Sequence, residues 1–294
     1  MKREGKINSF GFINVDKPSG IVSSTVVNKI KWLSGVPCGH MGTLDPLASG
    51  VLPVGVGNAA RLFDYFLEKE KEYIAEFTFG VTSDTLDSTG QLVHGGGIPD
   101  EKDIKSVLKS FIGEIDQIPP KYSAKNVNGQ RGYDLARRGV EFELPAKRVR
   151  IMSVGLLGKV EGKENAFRLK INCGGGTYIR SLARDIAAAL DTQAIMSALR
   201  RTKSGVFTLE NTVAFSELEK DPPIEELQRY VIPTERVLPF ERILLSGKNT
   251  ERIFNGLAVP AEQEDGLYKL YKNEEFYGIA EIKNGLAKAK TKLC

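Results

Sequence analysis

Tyr73, Ala75, Phe77 and Phe79 alternate with Ile74, Glu76 and Thr78, and the same period of two returns at Phe167, Leu169, Ile171 and Cys173. Alternation of this kind belongs to strands with one buried face. Val149 to Leu157 reads as a buried strand, and Phe12-Ile13-Asn14-Val15 as a short one stopped by Lys17-Pro18-Ser19-Gly20. Elsewhere the spacing is helical. Val26, Ile30 and Leu33 follow a start near Ser23 or Ser24, Ile104, Val107, Leu108 and Phe111 follow a cap at Asp100, and Ile179, Leu182, Ala183, Ile186, Ala187 and Leu190 make an amphipathic stripe. Asn58 is expected to cap a further helix with the stripe Ala59, Leu62, Phe63, Phe66 and Leu67. Pro37 to Gly57 is rich in Gly and Pro and reads as loop with short extended pieces, and Asp134 to Arg138 as a turn or two of helix. Strands mixed with helices, without steady strand–helix–strand alternation, predict an α+β fold rather than a doubly wound sheet. From about Leu238 the pattern changes to short strands (Leu267 to Leu270, Phe276 to Ile282, Leu286 to Lys290), which predicts a large unit over 1–237 and a small β-rich one over 238–294.

Composition excludes several classes of chemistry. The two histidines, His40 and His94, leave no multi-histidine metal site and little material for a Ser-His-Asp arrangement. Cys38, Cys173 and Cys294 are far apart and odd in number, which suggests neither a disulfide framework nor a zinc motif. No apolar window is long enough to span a bilayer, and Met1-Lys2-Arg3-Glu4 opens into mixed polar sequence, so a cytoplasmic protein without membrane association is expected. The net charge of +4 is concentrated. Lys121, Lys125, Arg131, Arg137, Arg138, Lys147, Arg148 and Arg150 face only Asp134, Glu141 and Glu143 in that stretch. An isolated basic run is usually a solvated face, but Tyr122 and Tyr133 with several glycines inside it raise the odds of nucleic-acid contact.

Gly39-His40-Met41-Gly42-Thr43-Leu44-Asp45-Pro46-Leu47-Ala48-Ser49-Gly50 carries the most chemical information. Pro46 pushes Asp45 out of helical geometry, and the glycines let the backbone pass close to another surface. A carboxylate is thereby displayed on a stiff loop that a bulky ligand can approach. Taken alone, an Asp-Pro pair in such a loop is more often a plain turn.

The segment resembles the G-H-x-G-x-L-D-P signature of the TruB family of tRNA pseudouridine-55 synthases, in which the Asp is essential. Five further stretches match in order: Asn14-Val15-Asp16-Lys17-Pro18-Ser19-Gly20; Lys71-Glu72-Tyr73; Ile118-Pro119-Pro120-Lys121-Tyr122-Ser123-Ala124 continuing to Ala136-Arg137-Arg138-Gly139; Gly176-Thr177-Tyr178-Ile179-Arg180; and Leu199-Arg200-Arg201. The resemblance implies a mixed, mainly antiparallel central sheet with flanking helices, the pseudouridine synthase fold, with an RNA-gripping insertion at about 118–150. It also implies isomerisation of uridine 55 in the T loop of tRNA with Asp45 as the catalytic carboxylate. Asp45 would attack the anomeric carbon, attack ring carbon six, or act as a base that generates a glycal; the sequence fits all three. Arg180 would hold that carboxylate ionised and oriented, and Tyr73 would stack on the extruded uracil and share in proton transfer. Tyr178 and Leu199 would line the base pocket, His40 would occupy space beside the flipped nucleotide, and Lys17 would stabilise loops or touch phosphate. Lys121, Arg137 and Arg138 would meet phosphates. The reaction neither gains nor loses atoms or electrons, so no cofactor and no metal are expected, in line with the missing Rossmann and Walker fingerprints. The implied partner is the tRNA T-arm alone, bound by a monomer without an obligatory protein partner. Asn255-Gly256-Leu257 and Phe276 to Ile282 more weakly resemble a PUA-type RNA-binding module.

Three other readings compete. A guide-RNA-dependent synthase shares the catalytic Asp, but His40 and the insertion after Ile118 favour the stand-alone type. A non-catalytic RNA-binding or RNA-folding protein is disfavoured by intact Asp45, Tyr73 and Arg180. A glycoside hydrolase needs a second carboxylate across the scissile bond, and the sequence offers Asp45 no evident partner.

Overall fold

The computed structural model describes residues 5–7, 10–67, 69–123, 126–127, 129–245 and 247–293. Met1 to Glu4, Ala124, Lys125, Cys294 and the side chains of Leu67, Arg131 and Tyr133, all used in the expectations above, lie outside the described residues.

The expected first strand and helix are present as β1 (Gly11–Lys17) and α1 (Ser23–Ser34), the helix ending at Gly35 in the left-handed conformation. A short β2 (Cys38–His40) pairs antiparallel with β3 (Ser49–Val56), and β4 (Lys71–Phe79) is the alternating strand. The central sheet runs Val213–Ala214, β1, β3, Ala194–Ser204, β4, Ala166–Cys173, Lys147–Lys159, Gly113–Gln117. Among the described residues, the strand pairs of β1 with Val213–Ala214 and of β3 with Ala194–Ser204 are parallel and the other pairs of this sheet antiparallel, so the sheet is mixed and mainly antiparallel, as expected. Asp100 caps the helix Glu101–Leu108 by accepting from Lys102 and Asp103 N–H groups at 2.7 and 2.8 Å, while the Asp103 side chain accepts from Asp100 N–H.

Three expectations fail. Val149 to Leu157 is a strand but not a buried one: buried Val149, Ile151 and Val154 are interleaved with exposed residues, and Leu157 is 57% exposed. Pro37 to Gly57 is not mainly loop: β3 is buried throughout after Ser49 and pairs on both sides. Burial on both faces removes the alternation by which a strand is recognised, and Gly50, Pro53 and Gly55 disguise the remainder. Nor does Asn58 cap a helix. It lies inside the 3-10 turn Gly57–Leu62, which is followed by the short helix Asp64–Leu67, and its amide donates to Leu293 O at 2.7 Å.

Alternation along the strands splits the core in two. Ile13, Val15, Leu52 and Val54 face α1 and the helix Ile179–Ala188, packing with Val26, Ile30, Leu182, Ile186, Phe77 and Ile171. Phe12 and Val51 point the other way into a cluster with Phe66, Phe207, Ile279 and Leu293. Ile279 belongs to the C-terminal antiparallel sheet, ordered Val259–Pro260, Leu286–Lys292, Glu275–Lys283, Gly266–Lys272, and Leu293 directly follows its strand Leu286–Lys292. That sheet is therefore docked on the large one, and it has its own buried set around Ile253, Leu270 and Ile282.

Candidate active site

Because β2 and β3 are antiparallel partners, with His40 opposite Val54, residues 41–48 must turn back sharply, and Asp45-Pro46 lies in that turn. The turn is pinned from two sides. From the stretch after β1, Gly20 N–H donates to Pro46 O at 2.8 Å and Ser19 Oγ to Leu47 O at 2.6 Å. Buried Ser23 both donates to Leu44 O and accepts from Leu44 N–H. Lys17, with no exposed surface, donates through Nζ to the carbonyls of Pro18, Ile21 and Pro46 at 2.8, 2.7 and 3.4 Å. Its burial and its contacts are those of a loop anchor. Burial pushes its ammonium down to about 8, against the attraction of Asp45. On the other side, buried Arg201 donates to Gly42 O at 3.0 Å, Thr43 O at 3.4 Å and Val51 O at 2.7 Å.

The result is an aspartate whose side chain keeps 36% of its surface exposed and whose Oδ2 lies 2.9 Å from Arg180 Nε. Arg180, in the first turn of Ile179–Ala188, is only 7% exposed in its side chain. Its remaining donors are fixed by Thr85 O at 2.9 Å and Tyr122 O at 3.1 Å, and Asp87 Oδ2 sits 3.6 Å from Nη1. One guanidinium thus serves two carboxylates, one open and one buried. Asp87 does not face the opening, and its Oδ1 accepts from Thr85, Thr89 N–H and the Thr89 hydroxyl. It supports Arg180 and does not make a facing pair of carboxylates.

Tyr73 stands opposite Arg201 across the β4 pairing and is 6% exposed. Burial pushes its phenol up to about 12, although Arg201 donates a hydrogen bond to it and attracts the phenolate. At neutral pH it is a proton-bearing hydroxyl. Leu199, buried, stands opposite Ala75 on the same strand as Arg201. Tyr178 precedes the Arg180 helix, held by its N–H to Gln117 Oε1 at 2.8 Å; its phenol is half-buried, which raises it, and it feels both Arg180 and Asp45. Lys71, at the head of β4, is buried and pushed down to about 8. Asp45, Arg180, Tyr73, Tyr178, Leu199 and Lys17 are therefore brought to one place.

His40, which feels the charge of Arg201, is half-buried in the wall of a cavity of about 370 Å³ with Ser24, Val27, Met41, Ala60 and Phe63. Burial pushes its imidazole down, so it is neutral at physiological pH. Lys121, Arg137 and Arg138 are exposed; Lys121 borders a second cavity, of about 510 Å³, with Leu86, Pro120, Phe142, Leu144 and Arg184. The sequence reading missed Asp87, Ser23 and the role of Arg201. Each acts through backbone or side-chain contacts made by folding, and only the Leu199-Arg200-Arg201 motif carried any signal of them.

Among the described residues no group of three His, Cys, Asp or Glu side chains gathers as a metal site would require, and no helix is long and apolar enough to cross a membrane. The arrangement offers one open carboxylate fixed by a buried cation, a neutral phenol and an apolar wall. That equipment suits covalent or base chemistry on a ring brought to the loop from outside.

Two family models match: the N-terminal domain of TruB family pseudouridylate synthase over residues 31–179, and the tRNA pseudouridylate synthase B C-terminal domain over residues 180–239. A tRNA pseudouridine synthase B of Clostridium kluyveri is 37% identical over 284 residues, covering 93% of this chain and 96% of that protein. One from a Synechocystis strain is 40% identical over 250 residues, 84% of each chain. Among solved structures, a Cbf5-Nop10-Gar1 complex aligns at a TM-score of 0.71 and 26% identity, covering 97% of this chain and 85% of that one. Fold, site geometry and these likenesses agree: the chain belongs to the TruB family of pseudouridylate synthases, an enzyme family of isomerases.

Proposed function

We propose that this enzyme isomerises uridine 55 in the T loop of tRNA to pseudouridine, with Asp45 as the essential carboxylate. The observation that carries the reading is the 2.9 Å contact between half-open Asp45 and buried Arg180 on a loop pinned from both sides. The relatives named tRNA pseudouridine synthase B, matched over nearly their whole length, support tRNA as the substrate. The bond between N1 and the sugar breaks, the ring turns, and C5 bonds to the same sugar carbon; C5 loses a proton and N1 gains one, so the product is an isomer. The target base has to leave its stack to reach a carboxylate set in a turn. Tyr73 then stacks on the ring, Tyr178 and Leu199 close the pocket, and His40 fills space beside the flipped nucleotide. Exposed Lys121, Arg137 and Arg138 grip phosphates, while Lys17 anchors the loop. We assign catalysis to residues 1–237, with the insertion at about 118–150 as the RNA grip, and tRNA contact by a PUA-like module to 238–294. A monomer working in the cytoplasm on the T-arm suffices for this scheme.

A guide-dependent mode has one observation in its favour, the likeness to the Cbf5-Nop10-Gar1 complex. His40 and the insertion after Ile118 favour the stand-alone mode. The deciding experiment incubates a bare tRNA transcript, and separately a T-arm stem-loop, with the pure protein and maps pseudouridine before and after. Conversion at position 55 in both is expected. No conversion without an added guide or protein partner would overturn the stand-alone reading.

A further inference from the structure

Arg201 heads the largest fully buried side chains, at 1% exposure, yet among the described residues no carboxylate forms an ion pair with it. A buried charge without a counter-ion is costly, and burying a hydrocarbon there would stabilise the fold more simply. What the guanidinium provides is geometry. Its fork reaches Val51 O on β3, Gly42 O and Thr43 O in the turn before Asp45, and the Tyr73 hydroxyl on β4. Those acceptors come from three separate pieces of chain. Gly50, directly opposite Arg201 in the parallel pairing, lies so close that a Cβ there would sit 2.2 Å from Arg201 O. Backbone contact and side-chain fork therefore fix the same junction.

We propose that Arg201 is a positioning residue for the isomerisation: its planar fork sets the distance and orientation between the Asp45 turn and the Tyr73 hydroxyl. It acts through those two groups and takes no part in holding RNA. A lysine keeps the charge but offers one compact ammonium in place of a flat multidentate fork, so it reaches fewer of these acceptors at once. The inference rests on the function proposed above, and wild-type conversion of the transcript tests that reading separately.

The experiment measures single-turnover pseudouridine formation and tRNA affinity for wild type, Arg201→Lys, Tyr73→Phe and the double variant, with thermal unfolding as a control. A displacement of the order of an ångström between reacting groups costs roughly 100-fold in rate. Arg201→Lys is expected to lose about that factor, with its dissociation constant for tRNA within about threefold of wild type. Because the two side chains act as a unit, the double variant should be slower than the slower single variant by less than about threefold. If Arg201→Lys does not fold, Arg201→Met carries the same measurements, since it removes the buried charge outright. A rate within threefold of wild type, parallel losses of rate and affinity, fully multiplicative effects in the double variant, or unfolding of both substitutions would each overturn the proposal.

Discussion

Asp45 Oδ2 and Arg180 Nε are 2.9 Å apart, and the two side chains differ sharply in exposure, 36% against 7%. The cation belongs to the protein interior while the anion looks out, so the carboxylate is oriented without being enclosed. Asp45→Asn keeps the size of the side chain and removes its charge. It should abolish pseudouridine formation while tRNA affinity stays within about threefold. Single-turnover conversion and filter-binding titrations read the two quantities, and turnover at the wild-type rate would dismiss Asp45 as the essential group.

Arg180 is also the counter-ion of buried Asp87, 3.6 Å from Nη1. Arg180→Met should therefore cut rate more than affinity and also lower stability, because it strands a buried carboxylate that keeps only its neutral donors. Asp87→Asn retains those hydrogen-bonded neighbours and should slow the reaction by about tenfold through looser placement of Arg180. A loss as complete as that of Asp45→Asn would instead make Asp87 a reacting group.

Lys121, Arg137 and Arg138 stand exposed on the insertion. Replacing all three by Gln should weaken tRNA binding and flatten its dependence on salt by about 0.7–0.9 logarithmic units for each phosphate no longer neutralised. An unchanged slope would put the phosphate grip elsewhere on the surface.

How much of this was legible in the sequence depended on whether a signal was local. The alternation of β4, the stripe of Ile179–Ala188 and the Asp100 cap are written in neighbouring residues, and all are found in the structure. The Asp45 segment was legible as a motif. Its neighbourhood was not, because Ser23, Asp87 and Arg201 reach it from elements 22 to 156 positions away in the chain. β3 was missed for a different reason: a strand buried on both faces has no polar alternation to show. Gly50 reads as a loop glycine, yet its φ of +100° and the approach of Arg201 O make it a requirement of strand packing. Lys17 was open between loop support and phosphate contact, since a lone lysine carries no sign of the three carbonyls that fold around it.

Lys17 also gives a pH signature. Its folded pKa, about 8, lies below its ordinary value of 10.5 because burial penalises the ammonium. Below pH 8 both folded and unfolded chains hold the proton, and stability is independent of pH through this group. Between pH 8 and 10.5 the unfolded chain holds a proton that the folded one has shed, so stability rises with pH. Lys71 contributes in the same direction, whereas Cys173, pushed up to about 11 by burial, opposes it above its ordinary 9.0. Comparing wild type with Lys17→Met at or below pH 9 isolates the one lysine. Urea unfolding at pH 7.5 and 9.0 should show the stability of wild type relative to the variant growing by about 1 kcal/mol. A difference that stays constant across that interval would mean Lys17 titrates as a solvated lysine, and the anchor beneath the Asp45 turn would then rest on the contacts of Ser19, Gly20, Ser23 and Arg201.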